Sequence, residues 1–176
     1  MQQYEKFNEE FNCNISIEKF NSLLKEINKS GKEKILEGEV ILEENPLAAQ
    51  RPRVRLFGKA PIIYSKTSEK KFKKKLLEKF LEVFNIDDTN FNIITTKFKI
   101  EIVIYKKILK NFTILQKIMT FLNKSYVITK PDVDNYAKII LDALNGHIFI
   151  DDALCYKLTI EKKYSLDSKI YVKIIY

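Results

Sequence analysis

A chain of 176 residues is sized for one domain, or one domain with a short appendage. Its 45 % hydrophobic content and regular Ile, Leu, Val and Phe spacing exclude a disordered chain, and 31 % charged residues argue for a soluble one. The formal net charge of +8 points to a polyanionic partner.

The start, Met1-Gln2-Gln3-Tyr4-Glu5, lacks the basic stretch and apolar run of a signal peptide. No apolar run approaches the roughly 20 residues that span a bilayer, so a cytoplasmic protein without a membrane partner is expected. Cys13 and Cys155 show no metal-ligand spacing and are expected to stay reduced.

In chain order, Ile17, Phe20, Leu23, Leu24 and Ile27 repeat with a helical period, which predicts a helix over residues 16–29. Ser16 suits its N-cap and Gly31 its stop. Residues 1–35 are thus expected to form an N-terminal helical extension. Ile35 to Leu42 reads as a strand that Gly38 weakens. Asn45 to Lys59 reads as a basic loop with at most a short extended piece. Phe72, Leu76, Phe80, Val83 and Phe84 place one apolar stripe on a lysine-rich helix over residues 66–84. Ile93 to Tyr105 alternates like a strand, residues 112–122 like a helix, and Tyr126 to Thr129 suits a short strand. A helix from Asp132 to Leu144 follows, ended by Asn145-Gly146. Cys155 to Tyr164 and Lys169 to Tyr176 then read as two strands joined by a turn at residues 165–168. The pattern predicts an α/β (α+β) domain over residues 36–176, a mixed sheet with helices packed on it.

Two features carry chemistry. The chain's only arginines are Arg51, Arg53 and Arg55, alternating in Arg-Pro-Arg-Val-Arg. A guanidinium fork suits phosphate, while a solvated edge strand would show the same alternation. Lys70, Lys71 and Lys74, in the lysine run, divide equally between a solvated helix face and DNA contact.

The second feature is acidic. Asp132 and Asp134 open the predicted helix, Lys138 and Asp142 follow at successive turns, and Asp151-Asp152 stand just beyond its end. Val133, Tyr136, Ala137, Ile140, Leu141 and Leu144 are expected to face the core, which leaves Asp134, Lys138 and Asp142 on a polar edge. Magnesium takes hard oxygen ligands and keeps several waters, so a few carboxylates suffice. Asp132, Asp134 and Asp152 are the expected ligands, with Asp151 as a further candidate. Lys138 is expected to stabilise charge on a phosphate or orient the attacking water. Asp142 is expected to hold Lys138 or to serve the helix. Each element has a plainer role: Asp132 as a helix cap, Asp151-Asp152 as a solvated turn. Their joint occurrence within about twenty residues favours chemistry.

These residues resemble the RusA family of Holliday-junction resolvases, mostly phage or prophage enzymes. The resemblance lies in Asp132-Val133-Asp134-Asn135-Tyr136-Ala137-Lys138, then Asp142-Ala143-Leu144-Asn145-Gly146, then Asp151-Asp152. Arg51-Pro52-Arg53 with Tyr64-Ser65 resembles an upstream family pattern. The resemblance spans roughly residues 36–176. It implies catalytic roles for Asp132, Asp134, Lys138 and Asp152, dependence on Mg²⁺ with Mn²⁺ as a substitute, and a homodimer that cuts four-way DNA junctions. DNA contacts are expected from Arg51, Arg53, Arg55, Lys70, Lys71, Lys74 and Lys130. A non-catalytic module for branched DNA, or a nuclease acting on flaps, is the alternative. The helical extension is the departure from the family pattern.

Overall fold

The computed structural model describes residues 2–11, 15–28, 33–49, 53–57, 60–64, 67–87 and 89–176. The chain divides into two compact units, residues 1–33 and 34–176.

The first unit holds α1 (Gln2–Phe11) and α2 (Ile17–Asn28). Periodicity predicts only the helix over residues 16–29; α1 precedes it within the expected extension, with glutamate and asparagine interrupting its apolar pattern. Aromatic side chains hold the pair: Phe7 lies 5.2 Å from Phe20, and Tyr4 meets Phe20 edge-on at 5.5 Å. The Tyr4 hydroxyl donates to the Ile15 carbonyl at 2.7 Å.

The second unit is built on a four-stranded sheet of β1 (Ile35–Leu42), β4 (Phe98–Lys107), β5 (Cys155–Ser165) and β6 (Ser168–Ile175), in the order β1-β6-β4-β5. β6 runs antiparallel to β1 and β4, whereas β4 and β5 are parallel, so the expected mixed sheet is present. β5 and β6 do not pair with each other. The chain rounds the end of β4, which inserts between them, with Ile108 N–H bonded to the Ser165 carbonyl at 3.0 Å.

Alternation fixes which face is covered. Phe98, Ile100, Ile102 and Ile104 of β4 are buried, as are Ile170, Val172 and Ile174 of β6. Against them pack α3 (Thr67–Val83), through Leu76 and Phe80, and α5 (Val133–Leu144). The opposite face carries cross-strand pairs, Lys169 with Glu39 at 2.9 Å and Lys173 with Glu37 at 3.5 Å. Such half-exposed pairs contribute only ~0–1 kcal/mol each, so the buried face supplies the stability.

Gly38 has a packing reason. A Cβ there would overlap the Val83 side chain and press Phe84 at 3.3 Å, so its absence lets the end of α3 close on β1. α4 (Ile114–Phe121) begins with a reciprocal capping box between Thr113 and Gln116. No helix among the described residues is long and apolar enough to cross a membrane.

The short extended piece expected within residues 45–59 is β2 (Arg53–Phe57), which forms an antiparallel hairpin with β3 (Ala60–Tyr64), Arg53 opposite Tyr64. Three expectations change. The strand expected from Ile93 begins only at Phe98. The strand expected from Tyr126 to Thr129 reduces to a single bridge, Tyr126 to Lys163. The buried face of α5 is also wider than a single stripe, because α3 and the sheet both cover it. Ile139 and Ala143 are buried, while Val133, in the first turn, is 41 % exposed.

Candidate active site

The acidic residues cluster at the two ends of α5. Asp132 occupies the N-cap position with extended backbone, φ −73° and ψ 156°, yet its side chain makes no capping bond. The plainer role of this carboxylate, closing the helix, is therefore not taken up. Asp134 follows in the first turn, where the positive end of the helix dipole favours a negative side chain. Its hydrogen bond is weak, Asn135 Nδ2 donating to Asp134 Oδ1 at 3.4 Å. Both carboxylates are exposed.

They open onto a groove of about 780 Å³. One wall is the segment Pro46–Ala49, and the other is Lys130, Pro131, Asp132, Asp134 and Asn135. The walls are tied together where Ala49 N–H donates to the Asn135 carbonyl at 2.9 Å. Asn45 anchors the first wall from its other side, its Oδ1 accepting from Lys107 N–H at 3.1 Å and from Ser168 Oγ at 2.9 Å. The Pro46–Ala49 wall was not visible as such in the sequence, where residues 45–49 read as loop.

At the far end of α5, Gly146 adopts φ 75°, the left-handed conformation expected of it. The chain then dives into the core at Ile148 and Phe149, both fully buried. Ile94 N–H donates to the Ile148 carbonyl at 2.9 Å and Ile150 N–H to the Ile94 carbonyl at 3.0 Å, which pins the segment. Asp151 and Asp152 emerge exposed from this anchor. Asp151 Oδ1 accepts from Ala153 N–H at 2.8 Å, capping the short 3₁₀ turn Asp152–Leu154. Burial pushes the neighbouring Cys155 thiol up, and the Asp152 carboxylate adds to the rise.

Lys138 is exposed on α5 and makes no hydrogen bond or ion pair with a described residue. Of the two roles expected for Asp142, it does not take the first, holding Lys138. Asp142 Oδ2 instead meets Lys73 Nζ of α3 at 3.4 Å, bridging the two packed helices. Lys130 is exposed at the groove mouth. Lys70, Lys71 and Lys74 are exposed on α3, with Lys74 3.9 Å from Glu78. Arg53 and Arg55 belong to β2, and Arg51 lies outside the described residues.

The groove gathers Asp132, Asp134 and Lys130 but not Asp151, Asp152 or Lys138. Among the described residues, no three His, Cys, Asp or Glu side chains form a ready cage for a metal ion. Two uncommitted carboxylates still match the donor chemistry of Mg²⁺, which binds through one or two carboxylates and keeps its waters for phosphate to displace.

A family model described as endodeoxyribonuclease RusA matches residues 43–175. The chain belongs to the RusA endodeoxyribonuclease family. The match begins at the end of β1 and takes in both walls of the groove, all of α5 and the Asp151-Asp152 pair. The chain is also similar to the uncharacterized protein YqaN of Bacillus subtilis (strain 168), 48 % identical over 46 residues. That match covers 26 % of this chain and 32 % of the Bacillus protein, so the chain spans about a third of that relative's length.

Sequence reasoning missed one residue. Lys162 of β5 donates to the carbonyls of Thr129 and Pro131, immediately before Asp132. A lysine among lysines in a strand carries no signal of that kind.

Proposed function

We propose that this RusA family member is a Mg²⁺-dependent, structure-selective endonuclease that resolves four-way DNA junctions by paired, symmetric cuts in the cytoplasm of a bacterial or phage-infected cell. The activity belongs to residues 36–176, with residues 1–35 as an appended helical extension. The observation that carries this reading is the pair of exposed carboxylates, Asp132 and Asp134, on one groove, with Asp132 free of the capping bond that would explain it. In a chain of net charge +8, carboxylates at a DNA-facing groove repel phosphate unless a cation neutralises them.

Asp132 and Asp134 would hold the cation, with Asp152 as a further ligand and Asp151 in reserve. Once bound, Mg²⁺ or Mn²⁺ would lower the pKa of water and offset charge on the leaving 3′ oxygen. Lys138, without a partner among the described residues, is available to a phosphate oxygen as charge develops. Lys130 at the groove mouth suits the adjacent phosphate, and the β2–β3 hairpin with Lys70, Lys71 and Lys74 extends the backbone contacts.

Paired cuts on a two-fold junction call for two active sites on a two-fold scaffold, hence a homodimer. α4 supports this: Ile114, Leu115 and Phe121 are 78 %, 67 % and 85 % exposed, more apolar surface than one short helix leaves to water without a partner.

The test is a synthetic four-way junction incubated with Mg²⁺ and its ends mapped. Nicked duplexes cut at symmetric positions are expected. Junction binding without cleavage at any Mg²⁺ concentration would make the chain a non-catalytic module, and faster cutting of flaps or linear duplex would reassign the substrate. Replacing Arg51, Arg53 and Arg55 together with alanine should weaken binding and flatten its salt dependence. The slope of log K against log salt should fall by as much as about 2.7, at roughly 0.9 per phosphate contact. An unchanged slope returns the hairpin to a solvated edge.

A further inference from the structure

Between Val127, 4 % exposed, and Tyr136, 1 % exposed, no side chain of the chain is buried. Ile128 is 94 % exposed, and Thr129, Lys130, Asp132, Val133 and Asp134 are exposed as well. The segment that carries both acidic residues of the groove therefore has no apolar anchor of its own. Up to Val127 it lies along the free edge of β5, with Tyr164 N–H bonded to the Ser125 carbonyl and Val127 N–H to the Lys162 carbonyl, both at 3.0 Å. Beyond that point the backbone leaves the strand.

The side chain of Lys162 takes over there. Its Nζ donates to the Thr129 carbonyl at 2.9 Å and to the Pro131 carbonyl at 2.7 Å. An ammonium has three donors, and two are committed to carbonyls that flank Lys130 and end at the peptide preceding Asp132. Hydrogen bonds from a charged donor are shorter and stronger than neutral ones, so this is a tether rather than a passing contact. Its second consequence is electrostatic: a fixed positive charge sits one peptide from the Asp132 carboxylate.

We propose that Lys162 is a positioning residue, whose ammonium fixes the Thr129–Pro131 backbone and thereby aims Asp132 into the groove for cation binding. The inference rests on the reading of Asp132 and Asp134 as cation ligands. It makes the affinity of the groove for a divalent ion depend on a strand residue that touches neither the ion nor the DNA.

The test measures Mn²⁺ binding to the whole chain without DNA, by electron paramagnetic resonance or calorimetry, for wild type, Lys162→Met and Lys162→Arg. Loss of a partner that orients a metal ligand weakens affinity by about 10–100-fold, and that is the expected effect of Lys162→Met. Lys162→Arg, which keeps charge and donors, should recover most of it. The Mg²⁺ concentration for half-maximal junction cleavage should rise by the same factor in Lys162→Met, while junction binding in Ca²⁺ holds. Lys162→Gln serves as the milder substitution if Lys162→Met does not fold. Unchanged Mn²⁺ affinity in the neutral variants overturns the proposal, as does a loss of junction binding with metal affinity intact, which would make Lys162 a phosphate contact. A wild-type chain whose Mn²⁺ affinity depends on Lys162 yet which cuts no DNA would sink the nuclease reading alone.

Discussion

Asp134→Asn is expected to abolish junction cleavage and to leave junction binding in place. The substitution is nearly isosteric and sits on an exposed position in the first turn of α5, so no packing is lost. What it removes is one of two carboxylates on the groove, halving the anionic charge available to a divalent ion. A loss of at least ~10³-fold in single-turnover rate is expected, which corresponds to about 4 kcal/mol of transition-state stabilisation. Binding to the polyanion should hold or tighten, because a negative charge facing phosphate has gone. The fold should barely notice, since a charge at a helix N-terminus is worth only about 0.3–1 kcal/mol. The measurements are end-labelled junction cleavage in Mg²⁺, gel shift in Ca²⁺ and a thermal melt. A variant that cuts at the wild-type rate removes Asp134 from the site.

The second large effect is on stability. Phe149 is fully buried and stacks on Phe98 at 4.5 Å between centroids, at the point where the chain returns from α5 to β5. Truncating a buried phenylalanine typically costs about 3–5 kcal/mol, through lost transfer energy and the cavity left behind. Against a total stability of about 5–15 kcal/mol, Phe149→Ala should shift the urea midpoint far down. Ile150, one residue on and 56 % exposed, is the control: Ile150→Ala should change stability by no more than about 0.5 kcal/mol. The same substitution at Phe149 loosens the anchor from which Asp151 and Asp152 emerge, so residual folded protein should also cut slowly. Equal midpoints for the two variants would refute the anchoring role of this segment.

Much of the fold was legible because local periodicity is set by burial on one face. β1 stands at residues 35–42 as its alternation predicts, and α3, β5 and β6 fall within a residue or two of their apolar patterns. The acidic residues stood out for a different reason, their joint occurrence beside a lysine within about twenty residues of a basic chain. What misled was any feature shared between elements. The core face of α5 was drawn too narrow, with Val133 in and Ile139 and Ala143 out, because a single stripe cannot foresee two covering layers. Of the two roles expected for Asp142, holding Lys138 on helical spacing gives way to a structural one, because Lys73 of another helix reaches it.

By itself the sequence determined most of the helices and strands and that the chain is basic, and it singled out aspartates and a lysine of α5 as candidates for chemistry. It also carried the family, through the spacing of Asp132, Asp134, Lys138 and Asp151-Asp152. Only the tertiary structure decided that β4 inserts between β5 and β6, that residues 46–49 form the second wall of the groove, and that Lys162 holds the backbone before Asp132. The division has one physical cause. Periodicity and motif spacing are properties of neighbours along the chain, whereas sheet order, groove walls and a lysine reaching 31 residues back are contacts between distant segments, with no local pattern to announce them.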